Sequence, residues 1–191
     1  MAEKVRLALC RAAGDTSKVV DVREATAADK LAVARVHVRS WQQGYRDLVA
    51  QDFLDGLRPE DMATRYAFDG MDLRHGPYTL VAVDCDTIRG HTTIGPSRDD
   101  DAVDSGEIWS LYVDPVYWGS GVSDALLAAG CSRLNQAGHE EAFLWVLATN
   151  MRARRFYERH GWTTDGVQQT VVLGGASVQQ VRYVTPLGCQ A

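Results

Sequence analysis

Residues 106–127 read GEIWSLYVDPVYWGSGVSDALL. This stretch parses as strand, sharp turn, glycine-rich loop and helix. Ile108, Trp109, Leu111, Tyr112 and Val113 are apolar or aromatic on both faces, which predicts a central, buried strand. Asp114-Pro115 ends it, because proline cannot donate into a sheet ladder. Gly119-Ser120-Gly121 then opens a helix carried by Val122, Ala125, Leu126 and Ala129. Two glycines before a helix let the backbone approach an anion closely. The unpaired N–H groups of the first turn then face it, and the helix dipole favours negative charge there. The stretch therefore predicts a seat for a phosphate or pyrophosphate. It is not a P-loop, since no Gly-Lys-Ser/Thr follows the glycines. It is not the dinucleotide fingerprint either, since the third glycine is missing and the strand lies mid-chain.

A second segment, residues 144–162, reads LWVLATNMRARRFYERHGW. With Val113-Asp114-Pro115 and Trp118-Gly119-Ser120-Gly121 upstream, Asn150, Ala153, Phe156, Tyr157, Gly161 and Trp162 follow in order and at fixed spacing. In this arrangement the chain resembles the GNAT superfamily of acetyl-coenzyme A-dependent N-acetyltransferases, loosely over residues 19–186. The resemblance implies an α/β fold of the α+β type. Its sheet would be mixed, mostly antiparallel and of six to seven strands, flanked by about four helices, with one splayed strand pair holding the cofactor. Residues 19–191 would form the acetyltransferase domain, preceded by an N-terminal extension, residues 1–18.

Bulk properties agree with a soluble domain. The 191 residues are 46% hydrophobic and 24% charged, enough for a sizeable core. A net charge of −5 argues against a general nucleic-acid binder. Cys10, Cys85, Cys131 and Cys189 are scattered without metal-ligand spacing and read as reduced thiols of a cytoplasmic protein. No apolar run reaches transmembrane length, and the patch from Val5 to Cys10 is too short for a signal peptide.

Along the chain, a first strand is expected at residues 19–23, and Thr26-x-x-Asp29 is a capping box that starts a helix. Leu31, Ala34, Val38, Trp41 and Tyr45 recur at helical spacing and are expected to face inward. Pro59 with Glu60 and Asp61 starts another helix. Residues 78–83 and 87–94 read as a hairpin, with His91 structural or at the surface. Asp99, Asp100, Asp101 and Asp104 read as a solvated loop. Residues 143–147 form a further strand, Asn150 or Thr149 caps the next helix, and residues 166–173 and 178–185 close the domain as a hairpin.

Acetyl transfer to an amine needs a held thioester, a polarised carbonyl, a deprotonated amine and a protonated leaving thiolate. It requires neither a metal nor a covalent enzyme intermediate. The backbone from Trp118 through Gly119, Ser120, Gly121, Val122 and Ser123 would hold the pyrophosphate. By resemblance, the strand edge at Leu111, Tyr112 and Val113 would pair with the pantetheine arm, and Asn150 would hydrogen-bond it while also capping its helix. Phe156 belongs to the same cofactor wall. Tyr157 is the expected proton donor, since a phenol is protonated at neutral pH. Glu107, at the start of the central strand, is the expected base, against the alternative of an exposed glutamate at a strand end. It shares a face with Trp109 and Leu111 by alternation. Trp41 and Tyr45 would wall the acceptor pocket or simply pack. Ser123 and Asp124 depart from the family pattern, and Asp124 sets an anion beside the pyrophosphate seat.

The resemblance thus implies an acyltransferase that moves acetyl from acetyl-CoA, as co-substrate, to a primary amine of a small molecule or peptide in a ternary complex. It implies no nucleic-acid or membrane partner and leaves homodimerisation open. The alternative is a non-catalytic acetyl-CoA-binding sensor or interaction protein of the same fold.

Overall fold

The computed structural model describes residues 20–188. The expected extension at residues 1–18 lies outside them. Seven strands form one sheet: β1 Asp21–Glu24, β2 Tyr78–Asp84, β3 Thr87–Pro96, β4 Gly106–Val113, β5 Glu141–Leu147, β6 Thr163–Leu173 and β7 Ala176–Pro186. Their order is β1-β2-β3-β4-β5-β7-β6. Every pairing is antiparallel except β4 with β5. The helices are α1 Lys30–Gly44, α2 Gln51–Gly56, α3 Pro59–Ala63, α4 Val122–Gln136 and α5 Met151–Arg159. The six-residue α2, absent from the sequence reading, is too short to show a helical period and is held by buried Leu54.

Alternation on β2 sorts the two faces. Val81 packs with Val33 and Val36 of α1, while Ala82 packs with Val122 and Leu126 of α4. The capping box before α1 forms as expected, with Asp29 accepting from the Thr26 N–H at 2.8 Å. Arg23 and the Thr26 groups hold the Asp29 carboxyl down at about 2. Ala34 and Val38 are buried against Met62, but Leu31 is 37% exposed and leaves the expected stripe. Cys131 is a free thiol. Cys85, expected to be reduced, is disulfide-bonded. Among the described residues no helix is long and apolar enough to cross a membrane.

Two irregularities shape the centre of the sheet. First, β4 and β5 pair only at Gly106↔Ala142 and Glu107↔Phe143. Beyond those pairs they diverge, leaving a fork whose arms end at Val113 and Leu147. Leu134 of α4 sits over the vertex so closely that a Cβ on Gly106 would meet its Cδ2 at 2.7 Å. Second, the β3–β4 register steps from Thr93↔Ser110 to Ile94↔Ile108, so Trp109 is an extra residue. Such a bulge inverts the alternation after it. Leu111 therefore joins Ile108 on the α4 side, and the face expected to hold Glu107, Trp109 and Leu111 together does not exist.

Candidate active site

The fork opens into a cavity of about 530 Å³, within the range of small-molecule sites. Of the residues singled out in the sequence, Leu111, Tyr112, Val113, Trp118, Gly119, Ser123, Asn150, Phe156, Tyr157 and Tyr45 line it. Trp41, Ser120, Gly121, Val122 and Glu107 do not. Trp41 packs instead in a cluster with Tyr45 and Phe53 behind the wall. The Val122 side chain is 1% exposed and belongs to the core, which leaves its backbone for any ligand.

The loop before α4 has the geometry of an anion seat. Gly119 and Gly121 adopt φ of 79° and 87°, the left-handed region that costs side-chain-bearing residues energy. A Cβ on either would meet nothing within 4 Å, so the space beside the loop is open. The first bond of α4 runs from Ala125 N–H to Gly121 O at 3.0 Å. The N–H groups of Val122, Ser123 and Asp124 thus have no intrahelical partner. Those of Trp118 and Ser120 are spent on Pro115 O and Tyr117 O. The donor set is therefore narrower than the expected run from Trp118 to Ser123.

Four arginines on α5 are sorted by the fold. Arg154 turns away, to Tyr183 Oη at 3.1 Å and Ala148 O at 3.0 Å. Arg152, Arg155 and Arg159 line the cavity, which the sequence could not decide among its solvated and ligand-facing readings. Arg152 stacks 3.3 Å from the Trp118 ring centroid, and Trp118 Nε1 donates to Val113 O at 3.0 Å. Trp118 thus ties β4 to α5.

Asp124 is engaged as well. His160 Nε2 lies 2.9 Å from Asp124 Oδ1, and His160 Nδ1 lies 2.8 Å from Phe156 O. Each ring nitrogen thus faces one oxygen acceptor. The carboxylate sits at a helix N-terminus and the imidazole at a helix C-terminus, the ends that favour each charge. This clasp offsets the anion beside the seat. Asp124→Asn is expected to change acetyl-CoA affinity by less than about threefold at moderate salt, since exposed charge pairs contribute little. A larger gain by calorimetric titration would show that the carboxylate repels the ligand despite His160.

Asn150 Oδ1 accepts from Ala153 N–H at 3.1 Å, capping α5. Asn150→Ala is expected to cost about 1 kcal/mol, read as a lower chemical-denaturation midpoint with an unchanged slope. No loss of stability would mean that the cap is solvated in solution. Tyr157 is buried at 8% exposure and lines the cavity. Burial, with Tyr112 and Cys131 nearby, pushes its phenol well above the ordinary range. Tyr45 and Tyr112 line the same cavity.

Glu107 is the main departure. It is 1% exposed. Its carboxylate is gripped by the Arg98 guanidinium through Nε at 3.0 Å and through Nη2, and by the Arg98 N–H at 3.0 Å. A carboxylate so committed anchors the loop after β3, and its reading as the amine's base loses geometric support. The loop itself is not merely solvated: Asp99 accepts from Trp145 Nε1 at 2.9 Å, and Asp101 pairs with Arg182 at 2.8 Å.

Beside Tyr112, His91 is fully buried, and among the described residues neither of its ring nitrogens has a hydrogen-bond partner. Burial holds it well below the usual histidine value, with His37 adding to the effect. Burial, then Arg65, brings His37 down to about 4. Its Nδ1 faces Tyr66 Oη at 2.7 Å, a hydrogen bond that the neutral ring makes in either direction according to its tautomer. Neutral imidazoles in the folded state must gain protons on unfolding in acid. Stability is thus fully present above the unfolded value near 6.5 and is lost as pH falls toward 4. The His37 shift alone corresponds to about 3 kcal/mol. The thermal midpoint should fall across that window and fall less in His37→Gln. A flat wild-type profile would contradict buried neutral histidines.

Comparison with known proteins places these features in context. The model of the acetyltransferase (GNAT) family matches residues 40–162. An N-acetyltransferase of Bacillus subtilis, the uncharacterised YuaI, is 29% identical over 133 residues, covering 69% of this chain and 74% of YuaI. The mycothiol acetyltransferase of Propionibacterium freudenreichii is 40% identical over 65 residues, which is 34% of this chain and 21% of that protein. A phosphinothricin acetyltransferase from Sinorhizobium meliloti, solved in complex with acetyl-CoA, superposes with a TM-score of 0.68 at 20% identity. That superposition covers 88% of this chain and 89% of the other.

Proposed function

Since the chain belongs to the GNAT acetyltransferase family, we propose that it transfers acetyl from acetyl-coenzyme A to a primary amine of a small molecule or peptide, by direct attack in a ternary complex. The observation that carries this reading is the fork between β4 and β5, with an anion seat at its open end and a buried phenol within it. Bound acetyl-CoA supplies the acetyl group as an activated thioester. The N–H groups of Val122, Ser123 and Asp124 and the cations of Arg152, Arg155 and Arg159 suit its phosphates. The edge of β4 at Leu111–Val113, left unpaired by the fork, is placed to pair with an extended amide-bearing arm, as a strand would.

Tyr157 Oη keeps its proton at neutral pH and can pass it to a departing thiolate. Among the described residues, no carboxylate other than Asp124 lines the cavity. The acceptor's ammonium therefore gives its proton to water before the free amine attacks, and the rate follows the amine's own ionisation. Calorimetric titration with acetyl-CoA, followed by initial rates with both substrates varied, tests the proposal. Binding and intersecting double-reciprocal lines are expected. Absence of binding, or parallel lines that signal a covalent acyl-enzyme, would overturn it. The cytoplasm, as a source of acetyl-CoA, is the proposed setting.

A further inference from the structure

The cavity is chemically polarised along its length. Arg152, Arg155 and Arg159 gather on the α5 side of the fork, with Asp124 held by His160. The uncharged lining includes Tyr45 beyond the end of α1, Trp109 and Tyr112 of β4, Trp145 and Leu147 of β5, and Gln180 of β7. None of these six side chains carries a charge. The charged groups nearest to them are already committed. Glu107 is bound by Arg98. Asp99 takes the Trp145 indole proton at 2.9 Å. Arg182, 8% exposed at its side chain, is shared among Asp99, Asp101 and Asp165 at 3.4, 2.8 and 2.7 Å.

The two indoles are also fixed in place. Trp109 Nε1 donates to Pro96 O at 3.2 Å, and the Arg98 guanidinium covers one ring face at 4.5 Å. Asp99 pins Trp145. The bulge at Trp109 sends Leu111 to the α4 side, and the two indoles share the cavity lining with Leu111, Leu144, Val146 and Leu147. Rings held in advance lose little freedom when a ligand stacks on them. Flat π faces favour an aromatic ligand and tolerate a single ammonium. A committed carboxylate cannot seat a second ammonium, and a committed guanidinium cannot seat an acceptor's carboxylate. A sugar amine would set its hydroxyls against the faces of two indoles, which offer them no hydrogen bond.

We propose that the acceptor is a monoamine carried on an aromatic group, an arylalkylamine without a second charge, stacked between Trp109 and Trp145. The proposal rests on the acetyl-transfer reading above and adds the acceptor class to it.

The test compares kcat/KM for phenethylamine, spermidine, lysine and glucosamine at saturating acetyl-CoA. Phenethylamine is expected to lead by at least about tenfold, as fits a site whose selectivity comes from ring stacking and desolvation. Trp145→Ala should raise the KM for phenethylamine by about tenfold while the KM for acetyl-CoA stays within about twofold, and Trp145→Phe should restore most of the loss. Because Trp145→Ala can fail to fold, saturation-transfer NMR on the wild-type protein with coenzyme A supplies a second reading. Ring protons of phenethylamine should show contact, and excess spermidine should not remove it. Preference for spermidine, lysine or glucosamine, or no ring contact, overturns the proposal. If acetyl-CoA binds and one of those other amines is acetylated, acetyl transfer stands and only the acceptor class falls. If acetyl-CoA does not bind, the acetyl-transfer reading falls instead.

Discussion

Replacing Tyr157 by phenylalanine is expected to lower kcat by about 10²–10⁴-fold, the usual contribution of a positioned general acid, while acetyl-CoA binding and the fold persist. The substitution removes one oxygen. Among the described residues that hydroxyl accepts or donates no hydrogen bond, so its loss leaves no partner stranded. The ring keeps its contacts with Trp162 and Tyr183, at centroid distances of 5.9 and 6.4 Å. What is lost is a proton held in a buried place at neutral pH, because burial raises the phenol well above its ordinary range. The effect belongs in kcat, not in the dissociation constant of acetyl-CoA. Single-turnover kinetics separate the two. An unchanged chemical step would take Tyr157 out of the mechanism and shift attention to Tyr112, which lines the same cavity.

Arg98→Ala is expected to be the most damaging surface-reaching substitution for stability. Glu107 is buried, and Arg98 supplies both its counter-charge and two side-chain donors. Removing the half-exposed guanidinium strands the buried carboxylate and costs about 2–3 kcal/mol. For a domain of this size that lowers the melting temperature by about 5–10 °C. The double variant Arg98→Met with Glu107→Leu removes both charges and should recover most of the loss. Differential scanning calorimetry on the three proteins checks it. If Arg98→Ala melts with the wild type, water reaches Glu107 and the anchor is weak. The same geometry predicts that Glu107→Gln leaves the pH–rate profile superposed on that of the wild type. A profile displaced to higher pH would restore Glu107 as the base.

Much of this architecture was legible because it rests on local chemistry. Asp114-Pro115 stops a strand wherever it stands. Gly119 and Gly121 announce left-handed backbone, and Asn150 caps its helix through its own side chain. The two motifs around them placed the fork and the seat. What escaped the sequence depends on contacts far along the chain. Glu107 looked available because nothing local indicates that Arg98 will fold back over it. The bulge at Trp109 arises from the register with β3, so alternation along β4 alone assigned Leu111 to the wrong face. Asp124 seemed to oppose the cofactor because His160, 36 residues away, is invisible at that position. The acidic loop at residues 99–104 read as solvated for the same reason: Arg182 and Trp145 reach it only in the folded sheet.

The central claim is that the fork carries acetyl transfer to an amine. It is tested most directly by incubating the protein with acetyl-CoA and an amine and measuring released thiol and acetylated amine together. The account predicts one acetylated amine for each thiol released, at a rate that Tyr157→Phe reduces. Tight binding of acetyl-CoA with no amide product from any amine would contradict it, and would mark the protein as a sensor that holds acetyl-CoA without using it.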